Sequence, residues 1–236
     1  MARKPRVRPE RETKQIEIER NVIEQYLMDA KEFVREKRSL VIYSFLGLLV
    51  ACVLVIAAVV IVDYVNTKNE KRFEKIMNDY AKYSSAGDAE KVKGVARDLR
   101  DFTDSTYFGF PHSAGYYALG NILFGQKEYR EAHKYLVRYA DKAPKTTLAP
   151  LALLKAAIAL EEANDLKGAL EVYKRLEDKY GDSIIADQIL YNAARVYAKN
   201  KDLVNSRNYY NKVIASFPES AFAEQAKKRL FLMGAL

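Results

Sequence analysis

The residues in this sequence that could do chemistry are few: His112, His133, Ser113 and the single cysteine, Cys52. Ser113 next to His112 suggests a nucleophile and its base. Adjacent residues on a turn rarely bring a hydroxyl and an imidazole into hydrogen-bond geometry with a third, orienting group, and Pro111-His112-Ser113 reads as a turn. His133 reads as an exposed helix position. Neither histidine has a carboxylate or cysteine at ligand spacing, so no zinc site is expected. A phosphate-binding glycine loop is missing, and Gly47 with Ala51 is only a small-xxx-small pair. The expectation is no catalytic residue, no metal and no cofactor. Cys52 lies inside an apolar run, so no disulfide forms within the chain.

The elements that carry these residues are helices. Alanine, leucine, lysine and glutamate dominate, while 236 residues hold only 10 glycines and 6 prolines. That composition favours helix over a turn-rich β-sandwich. The net charge of +8 is spread along the chain, with no concentrated basic stripe beyond the N-terminal tail. Nucleic acid is not an expected partner.

From Leu40 to Val62 there are 23 residues without a charge, LVIYSFLGLLVACVLVIAAVVIV. As a helix this run is about 35 Å long, enough for a hydrocarbon core of about 30 Å. A cleaved signal peptide would have a shorter apolar core, a shorter leader and a small-x-small cut site; here 38 residues precede the run. The run therefore predicts an uncleaved transmembrane helix over 40–62, between an N-terminal tail of residues 1–39 and a C-terminal domain of residues 63–236. The basic tail, RKPRVRPER followed by KEFVREKRS, places the N-terminus in the cytoplasm. Lys68, Lys71, Arg72 and Lys75 follow the run, but long domains cross largely regardless of charge. Within the tail, Ile16, Ile23, Tyr26, Leu27, Ala30, Phe33 and Val34 recur at helical spacing, an amphipathic helix over 16–34. Residues 16–38 are expected to touch the inner leaflet, or to dock a partner.

Beyond residue 66 the sequence repeats. Pro144, Gly181 and Pro218 are spaced by 37 residues, as are Ala132, Ala169 and Ser206, and Gly120, Ala157 and Ala194. Each unit reads as two antiparallel helices with a short turn at Gln126-Lys127-Glu128, Asn164-Asp165-Leu166 or Lys201-Asp202-Leu203. Small residues mark the close helix contacts, and Leu123, Leu160, Tyr197, Leu136, Tyr173 and Tyr210 fill the space between. Proline ends the second helix because it cannot continue it, and glycine by taking a left-handed cap. A degenerate pair is expected over Phe73–Thr106, with its turn at Ala86-Gly87-Asp88 and an excess of residues at Tyr107-Phe108-Gly109-Phe110-Pro111. A last helix, Ala221–Met233, would cap the array. The fold class is all-α: one transmembrane helix followed by an α-solenoid of helix pairs.

These Gly/Ala, Ala and Pro positions, with Tyr116 at an aromatic position, resemble the tetratricopeptide repeat. The lead-ins FPESAFAEQAKKRL and YGDSIIADQILYNAARVY resemble bacterial envelope members of that family. The layout of charged tail, single anchor and degenerate first unit is similar to the ancillary Sec translocon subunit family. That resemblance implies an inner-membrane protein with a periplasmic repeat domain, working beside translocon and chaperone partners. A scaffold in a flagellar or outer-membrane assembly complex would share the layout.

The curved wall formed by the first helix of each pair is the expected binding surface. Residues one turn from the packing positions should line it: Tyr117, Asn121 and Phe124, then Leu154, Ile158 and Glu161, then Tyr191 and Arg195. The expected function is a membrane-tethered adaptor that holds protein partners in this groove and meets the lipid bilayer through residues 40–62. The alternative is a structural subunit packed permanently into a large envelope assembly.

Overall fold

The computed structural model describes residues 10–107 and 109–234, with side chains from Val22 onward. The basic residues of the tail at 1–9, the side chain of Ile16, and Phe108 lie outside the described residues. The described residues form ten helices and no strand. The chain divides into two compact units, Met1–Tyr64 and Val65–Leu236.

In the first unit α1 spans Glu10–Glu36 and α2 begins at Arg38. The backbone ladder carries on through Lys37, whose N–H donates to Phe33 O at 2.9 Å and whose carbonyl accepts from Val41 N–H at 3.0 Å. Ile23, Tyr26, Leu27, Phe33 and Val34 are exposed along α1. The α2 helix runs to Ser85, 48 residues in one element. Among the described residues it alone is long and apolar enough to cross a membrane. Its length follows from the sequence, since no glycine or proline lies between Gly47 and Gly87.

The second unit stacks helix pairs. The C-terminal part of α2 pairs with α3 (Ala89–Ser105), α4 (Phe110–Gly125) with α5 (Tyr129–Lys142), and α6 (Leu148–Glu162) with α7 (Leu166–Tyr180). Then α8 (Ala186–Lys199) pairs with α9 (Leu203–Ser216), and α10 (Ala221–Leu232) packs on both. Phe73 and Phe102 close the first pair, with ring centroids 5.8 Å apart. The expected small contact residues are all buried: Gly120, Ala132, Ala157, Ala169, Ala194 and Ser206. A Cβ on Gly120 would lie 2.7 Å from Leu136 Cγ, so the α4–α5 approach admits nothing larger than glycine without displacement.

All four turns share one backbone device. Gly87, Lys127, Asn164 and Lys201 adopt left-handed φ of 67°, 64°, 59° and 64°. The next residue's N–H reaches back five positions, as Asp88 to Tyr83 O at 3.0 Å and Asp165 to Leu160 O at 2.8 Å. This is the Schellman closure. The same residue then opens the second helix. Asp88, Asp165 and Asp202 each accept a backbone N–H at 3.1 Å from three residues on, whereas Glu128 makes no such cap.

Gly181, expected as a left-handed cap, has φ −61° and ψ −19°, ordinary right-handed helix. The left-handed residues belong to the first-to-second helix turn of each pair instead. Before Pro144 and Pro218, Ala143 and Phe217 leave the helical region at φ −128° and −136°, as the proline ring demands of its predecessor.

Candidate functional site

The wall of first helices was expected to carry eight residues, and the structure sorts seven of them into three groups, with Ile158 apart. Tyr117, Asn121 and Phe124 stay together on α4, each partly exposed. The Asn121 amide donates to Tyr117 O at 2.8 Å and its Oδ1 accepts from Lys155 of α6. The Lys155 ammonium also lies 5.1 Å from the Phe124 ring centroid, and burial lowers its pKa. Lys155 thus ties Asn121 and Phe124 of one repeat to the next.

Glu161 and Arg195 form the second group. Glu161 is 3% exposed, and its Oε1 accepts from Arg195 at 2.8 Å and from the Tyr173 hydroxyl at 2.9 Å. Burial, then the adjacent Glu161 charge, push the Tyr173 phenol up. A carboxylate taken out of water needs such partners, since unpaired it would cost several kcal/mol, on the order of 3–5. Glu161 and Arg195 therefore bind each other across repeats.

Leu154 and Tyr191 form the third group and are core residues. Leu154 sits among Ala157, Tyr173 and Ile189. The Tyr191 ring lies 5.6 Å from Tyr210 and 5.3 Å from Phe222. One helical position is about 100° of rotation, which turns Leu154 inward and leaves Lys155 partly exposed. Ile158 is half-buried against the same core.

Beside Tyr117 the unit has an open apolar cleft of about 330 Å³ lined by α2, α4, α5 and α6. Phe73, Met77, Tyr80, Phe110, Tyr117 and Tyr139 line it, with Asn121 as its polar edge. The Tyr117 and Tyr139 rings stand 5.0 Å apart at its floor. A cleft of this size, mostly apolar with a few polar groups, suits an apolar side chain presented by a partner.

Sequence comparison identifies part of the array. A tetratricopeptide repeat family model matches residues 117–184, and a second tetratricopeptide model matches residues 188–220. Residues 117–184 and 188–220 are tetratricopeptide repeats. A tetratricopeptide repeat protein from Parabacteroides merdae is similar in structure, with TM-score 0.52 and 16% identity over 66% of this chain. The match spans 58% of that protein's length. Nearly identical TPR-like repeats from Podosopora anserina match at TM-score 0.48 and 13% identity, over 66% of this chain and 77% of that one. YrrB, described as a TPR protein with an unusual peptide-binding site, matches at TM-score 0.43 and 18% identity, over 71% and 87%. No curated protein matches the sequence. Tetratricopeptide repeats serve as scaffolds for protein–protein interaction.

Within the helical array the histidines are packing residues. His112 lies in the first turn of α4 rather than in a loop, buried, its Nδ1 3.0 Å from Thr106 Oγ1. The Thr106 hydroxyl donates to Phe102 O at 2.7 Å, so Nδ1 carries the proton toward Thr106. Ser113 Oγ donates to Phe110 O at 3.0 Å and does not engage His112. His133 is half-buried rather than exposed, with Nδ1 3.4 Å from Ala156 O. Among the described residues no cluster of three His, Cys, Asp or Glu could hold a metal.

Sequence reasoning missed Lys155 and Tyr139. The 37-residue step from Tyr117 leads to Leu154, and Ala118 and Asn192, the equivalents of Lys155, carry no charge that would have marked the position.

Proposed function

We propose that the protein is a membrane-tethered adaptor that holds a protein partner on its first-helix wall, at the outer face of a bacterial inner membrane. The observation that carries this reading is the open aromatic cleft beside Tyr117, set in a repeat array that shares its chain with a 23-residue uncharged run. The basic residues before that run support a cytoplasmic N-terminus and a periplasmic repeat domain. The layout resemblance to the ancillary Sec translocon subunits supports a place beside the protein translocon. Residues 1–39, 40–62 and 63–236 then act as tail, anchor and adaptor domain, the amphipathic face of 16–38 resting on the inner leaflet.

A photo-crosslinking residue at Ala118 or Asn121, in membranes, should capture a distinct protein. The same residue at Lys174, on the outward second helix α7, should not. Equal capture from both positions would remove the wall from the reading. Protease added outside spheroplasts should digest residues after 66 and spare the tail; loss of the tail alone would reverse the orientation.

One observation favours a permanent structural subunit instead. Val204, Phe231 and Leu232 are exposed where α9 and α10 meet, a junction fixed by Arg207 donating to Met233 O at 2.9 Å. Such an apolar end fits a buried interface. A monomeric residue 67–236 fragment in sedimentation would argue for the adaptor.

A further inference from the structure

The connection between α3 and α4 departs from the 37-residue step, and its extra residues are aromatic. Tyr107 is 79% exposed and Phe110 75% exposed. Most other rings of the array are paired or buried, as Tyr116 with Tyr135 or Tyr197 with Tyr209. Packing within the fold leaves both rings largely in water, although Phe110, the first residue of α4, also lines the cleft with one side.

The place of the connection is fixed from within the repeat unit. Gly109 has φ 90° and ψ 167°, a conformation open to glycine. A Cβ there would lie 2.5 Å from Asn66 Oδ1, so the Gly109 backbone lies directly on the Asn66 side chain of α2. Asn66 Oδ1 is shut off from solvent beneath it without a partner. Tyr107 and Phe110 flank that point. Asn66 follows Val62, the last residue of the uncharged run, by four residues. Four residues span about 6 Å as helix and no more than about 14 Å fully extended. The headgroup layer beyond the hydrocarbon is roughly 5–8 Å deep on each side. Chain length alone therefore keeps the aromatic connection close to that layer. Exposed Lys68 and Lys71 follow Asn66 on the same helix, and tyrosine and lysine are the side chains that settle at membrane interfaces.

We propose that Tyr107 and Phe110 form a second lipid contact, in which the α3–α4 connection inserts its two rings into the headgroup layer of the bilayer that residues 40–62 cross. This rests on the reading of 40–62 as a membrane span. The repeat unit is then held to the lipid surface at two points, a helix and a loop.

The chain contains no tryptophan, so single-tryptophan variants of the full-length protein report on one site each. The proteins are Tyr107→Trp, Phe110→Trp, Phe45→Trp within the span, and Ile184→Trp, a 99% exposed site. Each is reconstituted in phosphatidylcholine/phosphatidylglycerol vesicles containing lipids brominated near the headgroup end of the acyl chain. The expected result is blue-shifted, quenched emission at 45, 107 and 110 and unquenched emission at 184. Quenching at 45 but not at 107 and 110 overturns the second contact and leaves the anchor standing. No quenching at 45 overturns the anchor, and the second contact with it. Equal quenching at 184 would mean general adsorption and would also overturn it.

Discussion

Lys127 and Lys201 hold left-handed φ of 64°, where a Cβ crowds the following carbonyl at a cost of about 1–2 kcal/mol. Gly87 shows the unstrained solution at the same turn position. Lys127→Gly should therefore raise stability by about 0.5–1 kcal/mol, part of the gain being offset by glycine's chain entropy. Urea midpoints of the residue 67–236 fragment would show this, and an unchanged midpoint would contradict it. Ser206 takes the place of Ala132 and Ala169, and its buried Oγ has no partner. Ser206→Ala should stabilise by about 1 kcal/mol, since the hydroxyl loses hydration without a bond in return; a loss of stability would point to a bond hidden in the native state. The turns with Gly-Asp and Asn-Asp were legible because those residues announce left-handed caps. Lys127 and Lys201 carry no such signal, and only the 37-residue step revealed them.

Helix faces were read less well than helices. The small-residue ladder placed six buried helix contacts correctly because only a small side chain fits between crossing backbones, but it passed over Gly115, where a Cβ would lie 2.9 Å from Thr103 Cγ2. Leu154 and Tyr191 were assigned to the wall but are core residues, because apolar and aromatic side chains look alike in core and groove. The two tyrosines expected to behave alike should now differ. Tyr191→Ala should cost about 3–5 kcal/mol, as large-to-small core changes do, while the half-exposed Tyr117→Ala should cost about 1. Similar melting temperatures for the two variants would contradict the burial assigned to Tyr191. The helices also carry a pH dependence. Burial holds His112 and His133 below the ordinary histidine value, with the Lys142 charge adding to the effect at His112. The unfolded chain then binds protons more readily, so stability should be flat above about pH 7 and fall as pH drops below about 6.5. His112→Gln with His133→Gln should flatten the urea midpoint between those conditions, and a slope retained in the double variant would assign it elsewhere.

Across the whole molecule, stability runs along one line. Each helix touches mainly its sequence neighbours, so coupling between distant repeats passes through every interface on the way. The Glu161–Arg195 pair links α6 to α8, one of a small number of charged links between repeats. Arg195→Ala would strand a carboxylate that is 3% exposed. The cost should be about 2 kcal/mol, below the range for a fully buried pair because Arg195 is 39% exposed and Tyr173 stays. Denaturant unfolding of the variant should broaden or split, as the C-terminal pairs melt apart from the rest. A sharp single transition would show that apolar packing alone couples them.

The 48-residue α2 belongs to two worlds, since its apolar stretch and its Ile76 packing face share one hydrogen-bond ladder. Starting a helix is the costly step and extending one is cheap. A chain emerging N-terminus first completes its apolar segment before any repeat exists. That segment is then a ready nucleus, from which the ladder need only grow through Asn66 to Ser85. The first repeat helix would be formed before its partner α3 is synthesised, giving each later pair a surface on which to condense. Assembly of the array would then have a direction, set by synthesis and begun by the apolar stretch of α2.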